Sequence, residues 1–328
     1  MHCGILGIFL FVIGIKLFET HDFDSNLSYN MMFFSSAAYS ENPALCLSNV
    51  FGKNVWQNVT HATFKKNNFS RIFGFVAVSH SRQAVLLSFR GTTNDVQLLQ
   101  EITSFYDKDN FNNKGKVLGY FNTAFKGIYK KLKKHFISYS KKHANYSIWV
   151  TGHSLGGSLA SLASMQIAID WPFLAKRIVL YTFGQPRVGD HSYAINHDLL
   201  VNHSFRVVNY IDPVVHLPPC RKKFPEKKCN TKGAYHHGQE IFYDTAEMRK
   251  VSKFKVCTGL PKDEDINCSN KLGVKCLFKS CIFYHNHYYQ IDIGHFGSRA
   301  NCNFGKYVDR TPMTKLKHVF REIIHWTI

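Results

Sequence analysis

A glycine-rich turn between a β-type run and a helical run constrains the fold of this chain more than any other sequence feature. The β-type run covers residues 146–150, and apolar residues recur at helical spacing over residues 159–168. The turn between them reads Thr151-Gly152-His153-Ser154-Leu155-Gly156-Gly157-Ser158. Side chains at Gly152 and Gly156 would collide with the flanking strand and helix. The pattern therefore predicts a sharp turn that presents the hydroxyl of Ser154 at a helix N-terminus, beside backbone N–H groups that stabilise an anion.

Further β-type runs alternate with helical patterns along the chain. The β-type runs cover residues 71–79, 84–89, 177–183, 205–208 and 240–243, and helical patterns cover residues 27–39 and 126–142. This alternation is typical of an α/β fold with a mainly parallel central sheet and helices on both faces. Because 45% of the 328 residues are hydrophobic, the chain can form one sizeable core, and we expect a single domain over residues 19–328.

The first 18 residues have the character of a secretory signal. Eleven apolar or glycine residues, at positions 5–15, precede Lys16. A helix that spans a bilayer needs about 20 apolar residues, so this run is too short to be a membrane anchor. No Lys or Arg precedes the run, and no clear cleavage motif follows it. We expect residues 1–18 to act as a signal peptide and the protein to be secreted.

The cysteines favour an oxidising compartment. Nine are present, and Cys3 lies in the expected signal peptide, which leaves eight for up to four disulfides. One pair flanks the short loop 220–229 and another flanks the loop 257–268, while the remaining four cysteines could pair in several ways: Cys46, Cys276, Cys281 and Cys302. No C-x-x-C pair occurs, so the spacing disfavours a zinc site, and we expect neither a metal nor a cofactor.

Six N-x-S/T sequons are consistent with the glycosylated surface of a secreted protein. They lie at Asn26, Asn58, Asn68, Asn145, Asn202 and Asn267.

The net charge is strongly positive, at +19 from 41 Lys and Arg against 22 Asp and Glu. The densest basic run, at residues 126–142, has apolar residues at helical spacing, which predicts an amphipathic helix with a solvated basic face. Neither this run nor the basic cluster at 221–232 interleaves aromatic residues as a base-stacking surface does, so we expect no nucleic acid partner. Attraction to anionic lipid surfaces or acidic glycans, and plain solubility, are equally consistent with the charge.

A serine nucleophile needs a base that takes its proton and an acid that orients this base. In α/β-hydrolases the acid and then the histidine follow the serine along the chain. Asp212 comes just past the end of a predicted strand and is the leading candidate for the acid. Asp190 and Asp198 are weaker candidates, because Asp190 belongs to a Gly-Asp turn and Asp198 to an amphipathic helical pattern.

Four motifs in register resemble the class 3, fungal-type lipase family, which has the α/β-hydrolase fold, and in particular its secreted, disulfide-bearing members. They are Phe89-Arg-Gly-Thr92, Thr151-Gly-His-Ser-Leu-Gly-Gly157, Phe183-Gly-Gln-Pro-Arg-Val-Gly189 and the segment that begins Asp212-Pro-Val. The resemblance spans residues 71–302.

This resemblance implies an enzyme that hydrolyses lipid esters, with triacylglycerol as the first expectation and phospholipids or small esters as alternatives. It implies that Ser154 is the nucleophile, that Asp212 is the acid, and that the backbone N–H groups of Thr92 and Leu155 form the oxyanion hole. A catalytically inactive, secreted lipid-binding protein is the alternative outside the enzymes.

Three histidines compete for the role of the base. The family pattern has aromatic residues at the third and fourth positions after the histidine, and His285 meets it with Tyr288 and Tyr289. His287 is the alternative, with a poorer match, and His295 comes last. The chain departs from the family at Tyr284, where an aspartate commonly precedes the histidine.

Two further expectations concern residues outside the triad. We expect structural roles for His216, His236 and His237, which lie beside predicted strand ends, and for His153, which the resemblance implies points away from the reaction. The resemblance also implies a lid or a fixed helix at residues 94–105, which follow Thr92 and include several apolar side chains.

Overall fold

A sheet of eight strands forms the centre of the molecule. The computed structural model describes residues 23–65, 71–92, 108–220, 222–223, 228–229, 231, 233–258, 264–272 and 278–308. The strands in these ranges are β1 (Gln57–Phe64), β2 (Ile72–Ser79), β3 (Ala84–Phe89), β4 (Lys108–Asn110), β5 (Lys116–Leu118), β6 (Ser147–His153), β7 (Ile178–Phe183), β8 (Gly189–Asp190), β9 (His203–Asn209), β10 (Lys222–Lys223), β11 (Lys228–Cys229), β12 (Ala234–Tyr235), β13 (Gln239–Tyr243), β14 (Lys255–Val256), β15 (His287–Tyr288) and β16 (Ile291–Asp292).

The central sheet has the strand order β1-β2-β3-β6-β7-β9-β13-β14. Strands β3, β6, β7, β9 and β13 are parallel to one another, whereas β1 and β2 add antiparallel strands on one side and β14 adds one on the other. A smaller sheet has the order β12-β8-β5-β4. In the parallel part, all the strands end at the same edge, and the loops that follow them meet there.

Helices cover both faces of the central sheet. Those in the described ranges are α1 (Ser25–Ala37), α2 (Pro43–Phe51), α3 (Gly119–Lys142), α4 (Leu155–Asp170), α5 (Pro172–Ala175), α6 (His191–Leu200), α7 (Phe278–Asn286) and α8 (Ile293–Ser298), with short 3-10 helices at Val214–His216 and Ser269–Lys271.

Alternate residues of the central strands pack into two separate hydrophobic cores, one on each face of the sheet. Val150 of β6 and Leu180 of β7 pack with α3 and α4, whereas the adjacent Trp149 and Tyr181 pack with α1, α2 and α8 on the opposite face. This alternation follows from the two-residue period of a strand. The mainly parallel sheet with helices on both faces confirms the predicted α/β-hydrolase fold.

Most predicted elements are present with small shifts at their ends. The runs at 71–79 and 177–183 each begin one residue later than predicted, as Ile72–Ser79 and Ile178–Phe183. The basic amphipathic helix is confirmed as α3 and begins earlier, at Gly119. The edge strand β1 and the smaller sheet were not predicted, because their short or half-exposed strands have little apolar periodicity.

Three disulfides are defined in the described residues. Cys220 bonds to Cys229 and Cys257 to Cys268 across the two short loops, and Cys46 bonds to Cys302, which is 256 residues further along the chain. Cys281 is also disulfide-bonded. The long-range bond joins α2 to the segment that follows α8.

Some predictions fall outside the described residues. The signal peptide at 1–18 and the lid or helix at 94–105 both lie there, and the single domain over 19–328 stays a prediction. Within the described part, no helix combines the length and apolar character that crossing a bilayer requires.

Candidate active site

Ser154 occupies a strained turn between β6 and α4. Its φ of 59° and ψ of −129° lie in a region that a residue with a side chain rarely adopts. A Cβ on Gly152 would collide with the main chain of Gly156, and a Cβ on Gly156 would collide with the main chain of Phe89. The two glycines therefore permit the close approach of strand, turn and helix, as the sequence predicts.

The hydroxyl of Ser154 is buried at the N-terminus of α4. The side chain is almost fully covered, and Oγ makes no hydrogen bond within the described part of the chain. Leu155 is the first residue of α4, and the first N–H groups of a helix have no partner inside it. An oxygen that gains negative charge beside Ser154 would therefore meet the first N–H groups of α4 and the positive end of the helix dipole.

Thr92 reaches the same place from the neighbouring strand. Phe89 lies opposite Gly152 in the parallel pair β3 and β6, so both chains leave the sheet side by side. A Cβ on Gly91 would lie 2.6 Å from the carbonyl oxygen of His153 and 3.1 Å from Cβ of Ser154. The loop that carries Thr92 thus packs directly on the turn, and Thr92 itself is buried.

Asp212 and His285 form a buried pair at this edge of the sheet. Nδ1 of His285 lies 3.0 Å from both carboxylate oxygens of Asp212. The hydroxyl of Tyr288 donates to Oδ2 of Asp212 at 2.7 Å, and the N–H of Val214 donates to Oδ1 at 2.9 Å. These bonds orient a carboxylate that is fully buried.

The surroundings of Asp212 keep it ionised. Burial works to raise the pKa of Asp212, but the electrostatic interaction with His285 and the hydrogen bonds to the carboxylate outweigh it and hold the pKa below its ordinary value. Because a carboxylate accepts hydrogen bonds, Nδ1 of His285 carries the proton in this contact. When the ring carries this one proton, Nε2 is an acceptor, and Nε2 makes no hydrogen bond within the described residues.

Gly184 makes room for this pair. It follows β7 with a φ of 59°, and a Cβ there would lie 2.7 Å from Oδ2 of Asp212 and 2.7 Å from Nδ1 of His285. Gly184 belongs to one of the four motifs, but its steric role was not predicted, nor was the hydrogen bond from Tyr288. The positive φ of a loop glycine cannot be read from the sequence around it.

The structure places the other two candidate histidines elsewhere. Nδ1 of His287 bonds to the carbonyl of Phe283 at 2.9 Å, and its ring stacks on that phenyl ring with centroids 4.0 Å apart. His295 lies in the first turn of α8, where its main-chain N–H donates to Oδ1 of Asp292. Among the three candidates, His285 is therefore the one that contacts Asp212.

The weaker acid candidates have local roles. Asp190 caps the N-terminus of α6 by accepting from the N–H of Tyr193 at 2.9 Å, and Asp198 accepts from the N–H of Gly238 at 2.6 Å.

Groups with metal-binding side chains are already engaged in other bonds. Two of the three groups in the described ranges contain cysteines that form the disulfides of the two short loops. The third group contains His197, Asp198 and His237. The rings of His197 and His237 are stacked with centroids 3.6 Å apart, and Nε2 of His237 bonds to Ser161 at 2.7 Å. A metal ion would have to displace these contacts, so this group fits a structural role.

Comparisons with known proteins find similar lipases. Residues 86–222 match the family model described as Lipase (class 3). The chain is 34% identical to Lipase ZK262.3 of Caenorhabditis elegans over 83% of this chain and 81% of that protein. It is 29% identical to secreted mono- and diacylglycerol lipase 1 of Fusarium solani, and this match covers 58% of this chain and 54% of the fungal protein. The solved structure of Rhizomucor miehei triacylglyceride lipase superposes with a TM-score of 0.66 at 21% identity, over 83% of this chain and 97% of that one.

Proposed function

This chain belongs to the class 3 lipase family and is a lipase, and we propose that it hydrolyses triacylglycerol through a triad of Ser154, His285 and Asp212. The observation that carries the proposal is the pairing of His285 Nδ1 with Asp212, which leaves Nε2 as an acceptor, at the edge of the sheet where Ser154 sits in its strained turn.

The first half of the proposed reaction acylates the serine. Nε2 of His285 takes the proton of Ser154, and Oγ attacks the ester carbonyl. The N–H groups of Thr92 and Leu155 stabilise the oxyanion of the tetrahedral intermediate. The C–O bond to the alcohol then breaks, and the alcohol leaves with the proton from His285, so that the acyl group remains on Ser154.

The second half releases the fatty acid. Water gives a proton to Nε2 of His285 and attacks the acyl-enzyme, and the same oxyanion site holds the second intermediate. Collapse of this intermediate frees the acid and returns the proton to Ser154. Asp212 stays ionised throughout and stabilises the positive charge that His285 gains in each half, which agrees with the lowered pKa of its carboxyl.

We place this reaction outside the cell, where the enzyme makes peripheral contact with lipid surfaces. The disulfides, the signal-like residues 1–18 and the relatives named as secreted lipases support this location. No metal or cofactor has a part in the proposed steps.

A phospholipase is the second candidate, because the net charge of +19 would attract anionic phospholipid. Rates on triolein and on phosphatidylglycerol, measured in emulsions of matched surface area, separate the two. Faster hydrolysis of phosphatidylglycerol would replace the first candidate with the second.

The variant Ser154→Ala tests the triad chemistry. We expect it to lose nearly all hydrolysis of p-nitrophenyl butyrate and to resist labelling by an organophosphate. The matched control is Ser158→Ala, because Ser158 is equally buried one turn further along α4. Equal rates for Ser154→Ala and the wild type would contradict the mechanism, and lipid binding by an unlabelled, inactive wild type would indicate a lipid-binding protein instead.

A further inference from the structure

His153 links the turn that carries Ser154 to the main chain of His285. Nε2 of His153 lies 2.7 Å from the carbonyl oxygen of His285, and Nδ1 lies 2.8 Å from the hydroxyl of Tyr39. The ring is buried, and its centroid is 4.6 Å from that of the His285 ring. The residue directly before the nucleophile therefore contacts the residue proposed as the base.

Chemistry determines which nitrogen of His153 carries the proton. Burial and then the electrostatic interaction with His285 lower the pKa of His153 to about 3, so the ring of His153 is neutral and has one N–H. A carbonyl oxygen only accepts, and hence Nε2–H donates to His285. Nδ1 then accepts from the hydroxyl of Tyr39, which fixes the tautomer.

Asn209, three residues before Asp212, also binds the main chain around His285. Nδ2 of Asn209, at the end of β9, donates to the carbonyl of His287 at 2.6 Å and to that of Tyr284 at 3.2 Å. The main-chain carbonyls of Tyr284, His285 and His287 therefore all accept hydrogen bonds. The donors are His153, directly before Ser154, and Asn209, three residues before Asp212.

We propose that His153 is a positioning residue, which keeps His285 within reach of Ser154 by holding its main-chain carbonyl. This inference rests on the proposed triad. A displacement of about 1 Å at a catalytic group can cost on the order of 100-fold in rate. Loss of the bond should therefore lower kcat and leave KM nearly unchanged, because His153 lies behind the reacting atoms.

Two variants of His153 separate its two hydrogen bonds. The amide of His153→Gln extends as far as Nε2 and can still donate to His285, whereas the amide of His153→Asn extends only as far as Nδ1 and can still bond to Tyr39. We expect kcat on p-nitrophenyl butyrate to fall about 10- to 100-fold for His153→Asn and to stay within about threefold of the wild type for His153→Gln.

The control is Thr151→Val, in the same strand as His153, which removes a buried hydrogen bond of 2.8 Å from Thr151 to the carbonyl of Tyr181 in β7. It should lower Tm without changing kcat. Equal kcat for the two His153 variants, or a larger loss for His153→Gln, would overturn the inference. Ser154→Ala is assayed in parallel, since full activity there would refute the proposed function rather than the role of His153.

Three sequon asparagines lie at the end of the central sheet where the parallel strands begin, which we call the amino-terminal edge. Asn145 lies in the turn two residues before β6, and Asn202 lies one residue before β9. Asn58 is the second residue of β1. The first residue of β1, Gln57, pairs with Val78 of β2, and Val78 pairs with Val85 near the start of β3, so Asn58 lies near the level at which the parallel strands begin. All three sequon asparagines are exposed at the amino-terminal edge.

The proposed active site lies at the other end of the same strands. Ser154 and Asp212 follow the carboxyl ends of β6 and β9, and the seven residues of β6 span roughly 23 Å at about 3.3 Å each. A bulky, hydrated glycan at the amino-terminal edge would therefore leave the substrate edge free to meet lipid.

We infer that Asn58, Asn145 and Asn202 carry N-linked glycans, and that these glycans keep the amino-terminal edge in water while the carboxyl edge faces the lipid. The inference rests on the proposed secretion. The test uses protein secreted from a eukaryotic host cell, treated with peptide N-glycosidase and analysed by peptide mass spectrometry. Conversion of all three asparagines to aspartate is the expected result, and unmodified asparagines at these positions would overturn the inference.

Native trimming with an endoglycosidase tests the orientation. We expect equal rates on triolein emulsion before and after trimming, whereas a higher rate after trimming would show that glycans obstruct the lipid-facing edge. Occupancy is read by mass and needs no activity, so an inactive but glycosylated protein would refute the proposed function alone.

Discussion

Ser154 and His285 lie at the same edge of the sheet, but different kinds of contact hold them there. Ser154 is placed by its own neighbours, because β6, the two glycines of the turn and α4 follow one another in sequence. His285 is placed by residues far away in the chain: Asp212 is 73 residues before it and His153 is 132 residues before it. One half of the proposed site is thus encoded locally, and the other half depends on tertiary contacts.

The largest expected effect tests whether tertiary contact selects the base. His285→Ala should reduce kcat on p-nitrophenyl butyrate by about 10⁶-fold, the order seen when a triad histidine is lost. His287→Ala, two residues away, should retain kcat within about threefold, since its ring stacks on Phe283. Equal losses, or a larger loss for His287→Ala, would reassign the base.

Removal of the carboxylate should cost less than removal of the imidazole. Asp212→Asn is expected to lower kcat by about 10⁴-fold, because an amide that donates to Nδ1 favours the wrong tautomer of His285. Steady-state kinetics at several pH values will measure the loss. A decrease below tenfold would mean that Asp212 only supports the fold.

A substitution at Gly184 would disturb the contact between Asp212 and His285 without removing a reacting group. A Cβ on Gly184 would press on both Asp212 and His285, and we expect Gly184→Ala to lower kcat by about 100-fold. The positive φ adds a stability loss of about 1 kcal/mol. Kinetics and thermal unfolding of the same preparation check both effects, and wild-type kcat with a lowered Tm would show that the crowding is relieved without moving the pair.

The smallest effect concerns pH. The folded-state pKa of Asp212 is lowered, so ionised Asp212 stabilises the fold above its ordinary pKa of 3.8, and this contribution is lost as the pH falls through the folded pKa. The Tm difference between wild type and Asp212→Asn should therefore shrink from pH 6 to about pH 3. A difference that stays constant or widens on acidification would contradict the lowered pKa.

The same contrast explains how much could be predicted from the sequence. The turn at Ser154 and the parallel strands were predicted, because apolar periodicity and obligatory glycines are local signals. The choice between His285 and His287 rested on resemblance alone, since two residues so close in sequence differ only in what surrounds them after folding. The pairing of Cys46 with Cys302 could not be predicted from cysteine spacing either, because the two residues are 256 positions apart and their neighbouring residues do not identify them as partners.

His153 illustrates a further limit. Its position in the turn indicated a structural role, but the contacts with Tyr39 and the carbonyl of His285 depend on how the turn after α1 and the end of α7 pack against β6. The sequence carries no periodic signal for such contacts. Short strands such as β4 and β5 were missed for a related reason, since three residues are too few to show alternation.

The disulfide between Cys46 and Cys302 closes most of the chain into a covalent ring. When a protease cleaves a single peptide bond inside this ring, the disulfide still joins the two resulting pieces. Because the two pieces stay linked, each remains at a high effective concentration relative to the other, and the contacts between them can persist. A nicked enzyme should run as one species without reductant and as two with it, so damage that would dismantle an open chain leaves this one assembled.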